Sequence, residues 1–459
     1  MAKKSNTMTF LIAVLAVILV GLIILVVVLE QGNASQNPTE STPTVTEAPT
    51  DPPTDPPTDP PTEPPIVKQS TATIGVTGDI LMHDRVIKCG WQADTKTYNY
   101  DHIYQHWKKY VSAVDYAVAN LEVTLCSNDN GYDYKGYPCF NSPDAVPEAL
   151  KVAGFDMLLT ANNHSYDTRN KGFMRTQQVV SDLGFDHIGT RPDLETPNYL
   201  VKEINGIKIG MINYTYTTKL DDDGKAYLNG IPLTLEDSKL VNVFNYWKLD
   251  QFYTKLSGEM EAMRAEGAEA IVLYIHWGDE YNTTQNKTQT KMAQDLCNLG
   301  VDVIVGNHAH VPQPVALLTN ENDETQKTLC VYSTGNAVSN ITRHDKGRPI
   351  NCEDGMFFTF TFAKYSDGTV ILENTDLMPT WVDRTDESDW SDQFIVLPLD
   401  RENEDWQTAL GINDATLKEC QKSYDRTMDI VGAGLEEAQT YYAQHQKDVE
   451  AEIGVKTND

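Results

Sequence analysis

Four times along this chain an amphipathic helical pattern runs into a glycine, one or two further residues, and a short apolar run. The segments are "PEALKVAGFDMLLT", "TQQVVSDLGFDHIGT", "MEAMRAEGAEAIVLY" and "MAQDLCNLGVDVIVG". A glycine ends each helix because it adopts the left-handed backbone that a helix terminus needs, and the apolar run that follows is long enough for a buried strand. Helix and strand therefore alternate, which predicts an α/β fold with helices packed on sheet faces. Strands are expected at Thr73–Thr77, Ala117–Leu121, Phe155–Thr160, Ile207–Tyr214, Ala270–His276, Val301–Val305, Leu329–Ser333, Met356–Phe362 and Thr369–Glu373.

Sites in such folds collect at the C-terminal ends of the strands. Six of these ends carry polar, chemically capable residues: "VTGDILMHD" (Asp79, His83), "VANLEVT" (Asn120, Glu122), "LLTANNHSYD" (Asn162, Asn163, His164, Asp167), "LYIHWGDEY" (His276, Glu280), "IVGNHAHVPQP" (Asn307, His308, His310) and "VYSTGNAVSN" (Ser333, Asn336). The chain has ten histidines, and five of them fall here. In an extended segment His308 and His310 would face the same side. Imidazole with carboxylate is the ligand set of Zn²⁺, Mn²⁺ or Fe, and no thiolate joins it, so the pattern points to one convergent divalent-metal site rather than five separate structural histidines. The chain has no Gly-x-Ser-x-Gly elbow, no phosphate-binding P-loop and no dinucleotide fingerprint.

Read in order, Gly78-Asp79, Asn120-Leu121-Glu122, Ala161-Asn162-Asn163-His164 with Asp167, His276-Trp277-Gly278 with Glu280-Tyr281, Gly306 with His308-x-His310-Val311 and Gln313-Pro314, and Tyr332-Ser333-x-Gly335-Asn336 resemble the bacterial CapA-type capsule biosynthesis family, over about residues 71–380. That family is associated with poly-γ-glutamate and is similar to calcineurin-like metallophosphoesterases. The resemblance implies a four-layer α/β/β/α sandwich with one or two divalent ions (Mn, Fe or Zn) at the strand ends. It assigns Asp79, Glu122, Asn163, His276, His308 and His310 as metal ligands, Glu122 in the bridging place, and His164 as the group that meets the scissile phosphate. Two departures stand out. No histidine lies two residues after Asp79, so that His83 either replaces it or is simply a surface residue, and the bridging position holds glutamate where the pattern has aspartate. Asp167 either orients His164 or caps the helix that follows. Glu280 either supports a ligand histidine or is solvated, Asn120 and Asn336 either bond the site or close turns, and Ser333 has no base beside it in sequence.

The ends of the chain bear on location. Lys3 and Lys4 precede an uninterrupted apolar run from Phe10 to Leu29, which at about 20 residues could cross a membrane as a single helix with the N-terminus inside. A cleaved signal peptide is the rival reading. The repeat "TDPPTDPPTDPPTEPP" (Thr50 to Pro65) cannot form a core. It is expected to be extended and polyproline-like, so residues 31–70 could span on the order of 100 Å at about 3.1 Å per residue. The expected organisation is thus a transmembrane anchor at 1–30, a Thr/Pro/Asp-rich linker at 31–70, a catalytic-type domain at 71–385 outside the cytoplasm, and an acidic linker with an accessory helical tail at 386–459.

The formal net charge of −30 excludes nucleic acid as a partner, because such a surface repels phosphates. It also confines contact with an anionic capsule polymer to places where metal or local lysines invert the field. Expected partners are the cytoplasmic membrane, that polymer and other capsule-assembly proteins. Of seven cysteines, Cys126 and Cys139 are the nearest candidates for a disulfide, the alternative being buried thiols. Two functions fit: a metal-dependent hydrolase or transferase acting on a phosphoester or γ-glutamyl bond, or a non-catalytic accessory protein of polymer assembly, anchoring or export.

Overall fold

The computed structural model of the chain describes residues 65–384, 394–401 and 411–455. The expected anchor, Phe10–Leu29, and nearly all of the linker lie outside them. Among the described residues no helix is long and apolar enough to cross a membrane.

Two sheets form the body. The first runs in the order β15-β14-β13-β1-β2-β3-β4, with β12 added beside β1. Its strands are β1 (Lys68–Ile80), β2 (Tyr116–Leu121), β3 (Met157–Leu159), β4 (Asp186–Ile188), β12 (Asn336–Val338), β13 (Asp354–Tyr365), β14 (Val370–Arg384) and β15 (Phe394–Pro398). The second runs β7-β6-β8-β9-β11-β10, with β5 beside β6. It contains β5 (Leu200–Ile204), β6 (Ile207–Tyr216), β7 (Val243–Phe244), β8 (Ala270–His276), β9 (Val303–Asn307), β10 (Pro312–Thr319) and β11 (Lys327–Thr334). Pairing is parallel along β1-β2-β3-β4 and along β7-β6-β8-β9-β11, and antiparallel towards β13, β14, β15 and β10.

Alternation along the strands decides the layers. On β8, Val272 and Tyr274 join Ile74, Val76, Val118, Phe358 and Phe360 of the first sheet in one core, so the two sheets pack face to face. The intervening Ile271, Leu273 and Ile275 meet Leu256 and Met263 of α3 (Leu249–Ala265) and Met292 and Leu296 of α4 (Lys287–Asn298). On the opposite flank Ala117, Ala119 and Leu121 of β2 pack on Leu150 of α1 (Ala145–Ala153) and Val180 of α2 (Arg169–Asp182). Strands buried on both faces read as unbroken apolar runs, which is why they were visible in sequence. The result is helix, sheet, sheet, helix. The glycines at the helix–strand junctions take the left-handed conformation expected of them, as at Gly154 (φ 107°) and Gly267 (φ 95°).

Beyond the expected strands, the structure adds β10, an edge strand with Pro312 and Pro314, and β15, which pairs with β14 and so crosses the domain boundary placed at 385. The C-terminal helix α5 (Asp414–Ile453) is no appendage. It lies against β10, the edge strand of the second sheet, and β14, next to the edge strand β15 of the first, and its Val431, Leu435, Ala438 and Tyr442 complete the inter-sheet core. At Gly434 the fit leaves no room for a side chain, since a Cβ there would lie 1.8 Å from the Val315 carbonyl oxygen. All seven cysteines are thiols: Cys126 and Cys139 are unbridged, and the Asn141 carboxamide ties the loop instead, bonding both the N–H and the carbonyl of Cys126 at 2.7 Å.

Candidate metal centre

The polar strand ends converge because the parallel strands of both sheets finish on the same side of the core. Asp79 ends β1 at a point where the chain passes close to the turn before β12: a Cβ on Gly78 would sit 1.9 Å from the Gly335 carbonyl oxygen. That carbonyl accepts the Asp79 N–H at 3.1 Å, and Asp79 stands in register with Asn120 of β2 and Asn336 of β12. Both neighbours serve the site. Asn120 donates to Asp79 Oδ1 at 2.7 Å, and Asn336 Oδ1 lies 3.0 Å from Nδ1 of His310. These two asparagines hold ligand candidates rather than merely closing turns.

From the second sheet come His276, the last residue of β8, and His308 and His310, just past β9. The expectation of an extended segment fails here: His308 (φ 93°) and His310 (φ 55°) both have left-handed backbone. The two rings still reach one centre, at 5.9 Å between centroids, with His276 at 4.7 Å from His308. Asp79 Oδ2 accepts the His308 backbone N–H at 3.3 Å and lies 3.1 Å from His310 Nδ1, so the carboxylate holds the strained turn it faces. Asn163 joins through its Oδ1, 2.8 Å from His276 Nε2.

Glu122 lies at the middle. Its Oε1 is 3.4 Å from His276 Nε2 and 3.9 Å from His310 Nε2. Two groups of donor atoms could each hold an ion, Asp79/Glu122/His276 and Glu122/His308/His310, and Glu122 belongs to both. Glu122 and Asp79 are fully buried, yet both oxygens of Glu122 and Nδ1 of His308 lack a hydrogen-bond partner among the described residues. Buried polar atoms left bare in this way cost free energy unless something else satisfies them. A divalent cation fits that donor set.

The electrostatics agree. Burial pushes His276 down to about 3, and burial with the neighbouring imidazoles pushes His308 well below the ordinary range, so both are neutral and ready to donate a lone pair. Burial, then the charges of Asp79 and Glu280, raises Glu122 well above the usual carboxylate range. For Asp79 burial acts upward, but the His310 hydrogen bond and charge win and its pKa is lowered; His310 is raised in turn against its own burial. A cation would reverse the penalty on Glu122.

A cavity of about 700 Å³ opens beside the cluster, lined by His164, His310 and Asn163 among others. Asp167 Oδ2 lies 2.7 Å from His164 Nδ1 and also accepts the Phe140 N–H at 2.6 Å, while helix α2 starts after Thr168 with no side-chain cap. Asp167 therefore orients His164 and does not cap the helix. His83 lines the cavity but joins neither donor group; its Nδ1 accepts the Asn340 N–H at 3.3 Å, and burial holds it down at about 4. Glu280 is an exposed residue of the cavity wall. Ser333 is buried and accepts the Gly335 N–H at 3.3 Å, a turn contact away from the cavity.

Two wall residues escaped the reading of the sequence. Asn229 stands 3.3 and 3.4 Å from the His164 ring nitrogens, on a two-residue hairpin turn with Gly230. The Asn-Gly pair was a legible turn signal, but nothing local says that the turn falls over His164. Arg348 follows no strand and carried no signal.

Compared with known proteins, residues 73–341, over half of the chain, match the model of the family described as "Bacterial capsule synthesis protein PGA_cap". Capsule biosynthesis protein CapA of Bacillus anthracis is 24% identical over 269 residues, which is 58% of this chain and 59% of that protein. PGA biosynthesis protein CapA of Bacillus subtilis is 26% identical over 267 residues, covering 57% of this chain and 61% of that protein. The chain thus spans about three fifths of the length of these relatives. Among solved structures, purple acid phosphatase PPD1 from yellow lupin seeds overlaps 68% of this chain and 54% of that chain at 12% identity, with a TM-score of 0.34, too low to support an inference.

Proposed function

The chain belongs to the bacterial capsule synthesis protein family PGA_cap, and on that premise we propose that it is a membrane-anchored, extracytoplasmic protein of poly-γ-glutamate capsule biosynthesis with a divalent-metal-dependent hydrolase or transferase site. The phosphoester and the γ-glutamyl bond are its candidate targets. The anchor reading rests on the apolar run Phe10–Leu29 behind Lys3 and Lys4. The site reading rests chiefly on one observation: Glu122, shared by two donor groups, is fully buried with neither oxygen hydrogen-bonded among the described residues.

Asp79, Glu122, Asn163, His276, His308 and His310 would hold one or two ions of Mn, Fe or Zn. When bound, such an ion supplies Lewis-acid polarisation of a phosphoryl or carbonyl oxygen and activation of water. The other residues work around it. Asp167 fixes the His164 ring through Nδ1, so that Nε2, with the Asn229 carboxamide 3.4 Å away, is the atom to exchange a proton with a leaving group or to stabilise its charge. Asn120 and Asn336 keep Asp79 and His310 in place.

A second reading, a non-catalytic accessory protein, is favoured by the first motif. His83 stays outside both donor groups, so among the described residues no histidine from that motif completes the set. One series of measurements separates the two. We expect near-stoichiometric metal in the purified chain, falling at least tenfold in His308→Ala/His310→Ala. In His164→Ala we expect wild-type metal with turnover of phosphoester or γ-glutamyl substrates down about 100-fold or more. Metal without turnover on either substrate class would establish the accessory reading. Absence of metal after reconstitution would sink the metal site itself.

A further inference from the structure

On a chain with 66 acidic residues, arginines find carboxylates readily: Arg175 pairs with Asp144, Arg343 with Glu353 and Glu419, Arg401 with Asp425 and Arg426 with Asp354. Arg348, like Arg169 and Arg191, has no such ion pair among the described residues, but of these three it is the one at the metal-centre cavity. Its guanidinium lies instead on the ring of Tyr281, with Cζ 3.6 Å from the ring centroid, and Tyr281 in turn lies 5.8 Å from the His310 ring. One aromatic ring thus separates Arg348 from a ligand candidate.

Such stacking fixes the guanidinium plane and leaves its edge of N–H donors to a planar two-oxygen anion. The backbone beneath is also held. Arg348 N–H closes a turn on the Asp345 carbonyl at 3.0 Å, and Arg343 clamps the same loop to Glu353 of the 3₁₀ turn before β13 and to Glu419 of α5. The Arg348 backbone and guanidinium are thus held before anything binds, which lowers the ordering cost at that residue. Lys346 lines the same wall. Of the two acidic residues there, Asp345 turns its carboxylate to its own loop, accepting the Thr342 N–H at 2.7 Å, and Glu280 immediately precedes Tyr281. The loop lies beyond the family-matched residues 73–341.

We propose that Arg348, stacked on Tyr281 and accompanied by Lys346, is the specificity-determining residue of this cavity, taking a carboxylate or phosphoryl group of a substrate whose reacting bond lies at the His/Asp/Glu cluster. This rests on the site reading given above. It selects anionic substrates and rejects neutral ones of the same shape.

The test is calorimetric binding to the full chain in detergent, using a γ-linked glutamate oligomer, its α-amidated counterpart and inorganic phosphate. The wild type should bind the charged oligomer or phosphate at least tenfold more tightly than the amidated oligomer. Arg348→Gln should bring the preference within about threefold, and Arg348→Lys should restore only part of it, since an ammonium neither stacks flat nor binds two oxygens in a plane. Loss of the charged oligomer assigns the group as a carboxylate, and loss confined to phosphate assigns it as phosphoryl. Unchanged affinity for both in Arg348→Gln, or no anion preference in the wild type, overturns the proposal. Metal content measured on the same samples keeps the two readings apart. Anion preference in a chain that takes up no metal would end the metal reading and leave Arg348 in its role, whereas metal at wild-type level with no anion preference would do the reverse.

Discussion

Glu122 and Asp354 are both carboxylates with no measurable exposure, and their surroundings are opposite. Asp354, at the start of β13, is fully served by α5: Oδ1 accepts from Ser423 and from Arg426 Nη2, each at 2.6 Å, and Oδ2 accepts from Arg426 Nε at 3.0 Å. Glu122, at the strand ends, has imidazoles near it and no hydrogen bond to either oxygen. A buried charge with a complete set of partners joins two parts of a fold; a buried charge without one is held ready for something that arrives later. The first lies outside the family-matched segment and the second inside it. Mutations should therefore act in opposite senses at the two places.

The largest effect is expected from Arg426→Met, which strands Asp354 in the core. We expect a loss of about 3–5 kcal/mol of stability in urea unfolding, the usual result of removing one partner from a buried pair. A loss below about 1 kcal/mol would show that the seam is not what joins α5 to the sheets. Next is Glu122→Gln, which replaces a buried carboxyl that has no hydrogen-bond partner among the described residues. Metal affinity should fall by more than the roughly 10–100-fold that loss of an outer hydrogen-bond partner costs. Metal-free stability should stay the same or rise, as it does when strained functional groups are neutralised. Marked destabilisation of the metal-free chain would make Glu122 structural and erase the contrast.

The smallest effect concerns pH. Burial raises Asp354 to about 6 despite Arg426, above its ordinary 3.8. The folded state therefore holds this proton more tightly than the unfolded state does. The stability it contributes is present at low pH and lost as pH rises through about 6. Asp354→Asn cannot lose it, so the stability gap between wild type and variant should narrow by about 1 kcal/mol from about pH 5 to about pH 7.5. A gap that widens over that range would mean that the pair with Arg426 outweighs burial.

How much of this was legible varies with the range of the interaction. All nine expected strands exist: strands such as β2, β8 and β9 are apolar runs buried on both faces, and β14 shows in the alternation of buried and half-buried residues, so either way the mark is left residue by residue. Helix α5 was nearly invisible as part of the core. Its buried stripe contains Ser423 and Thr427 beside Val431, Leu435 and Ala438, so its apolar periodicity is diluted at the very positions that face the sheets. Strand β10 was hidden by Pro312 and Pro314, which an edge strand tolerates. In the site, the ligand candidates were legible because packing alone seldom gathers imidazole, carboxylate and carboxamide at successive strand ends, whereas a cation needs them there. Asp167 was not decidable, since a helix start and an imidazole partner both call for an acidic residue there.

By itself, then, the sequence determined the alternation of helix and strand, the identity of the donor atoms, and the place of each at a strand end, all of which are properties of a few consecutive residues. Tertiary structure alone decided that Glu122 is shared between two donor groups, that His308 and His310 meet through left-handed backbone rather than strand alternation, and that α5 fills the edge between the sheets. It also decided that Arg348 lies over Tyr281. The reason is common to all four. Each is imposed by residues far apart in the chain: Asp79 of the first sheet takes the His308 N–H and so holds the left-handed turn, and the other three are contacts between distant segments, which no local pattern of apolar and polar residues encodes.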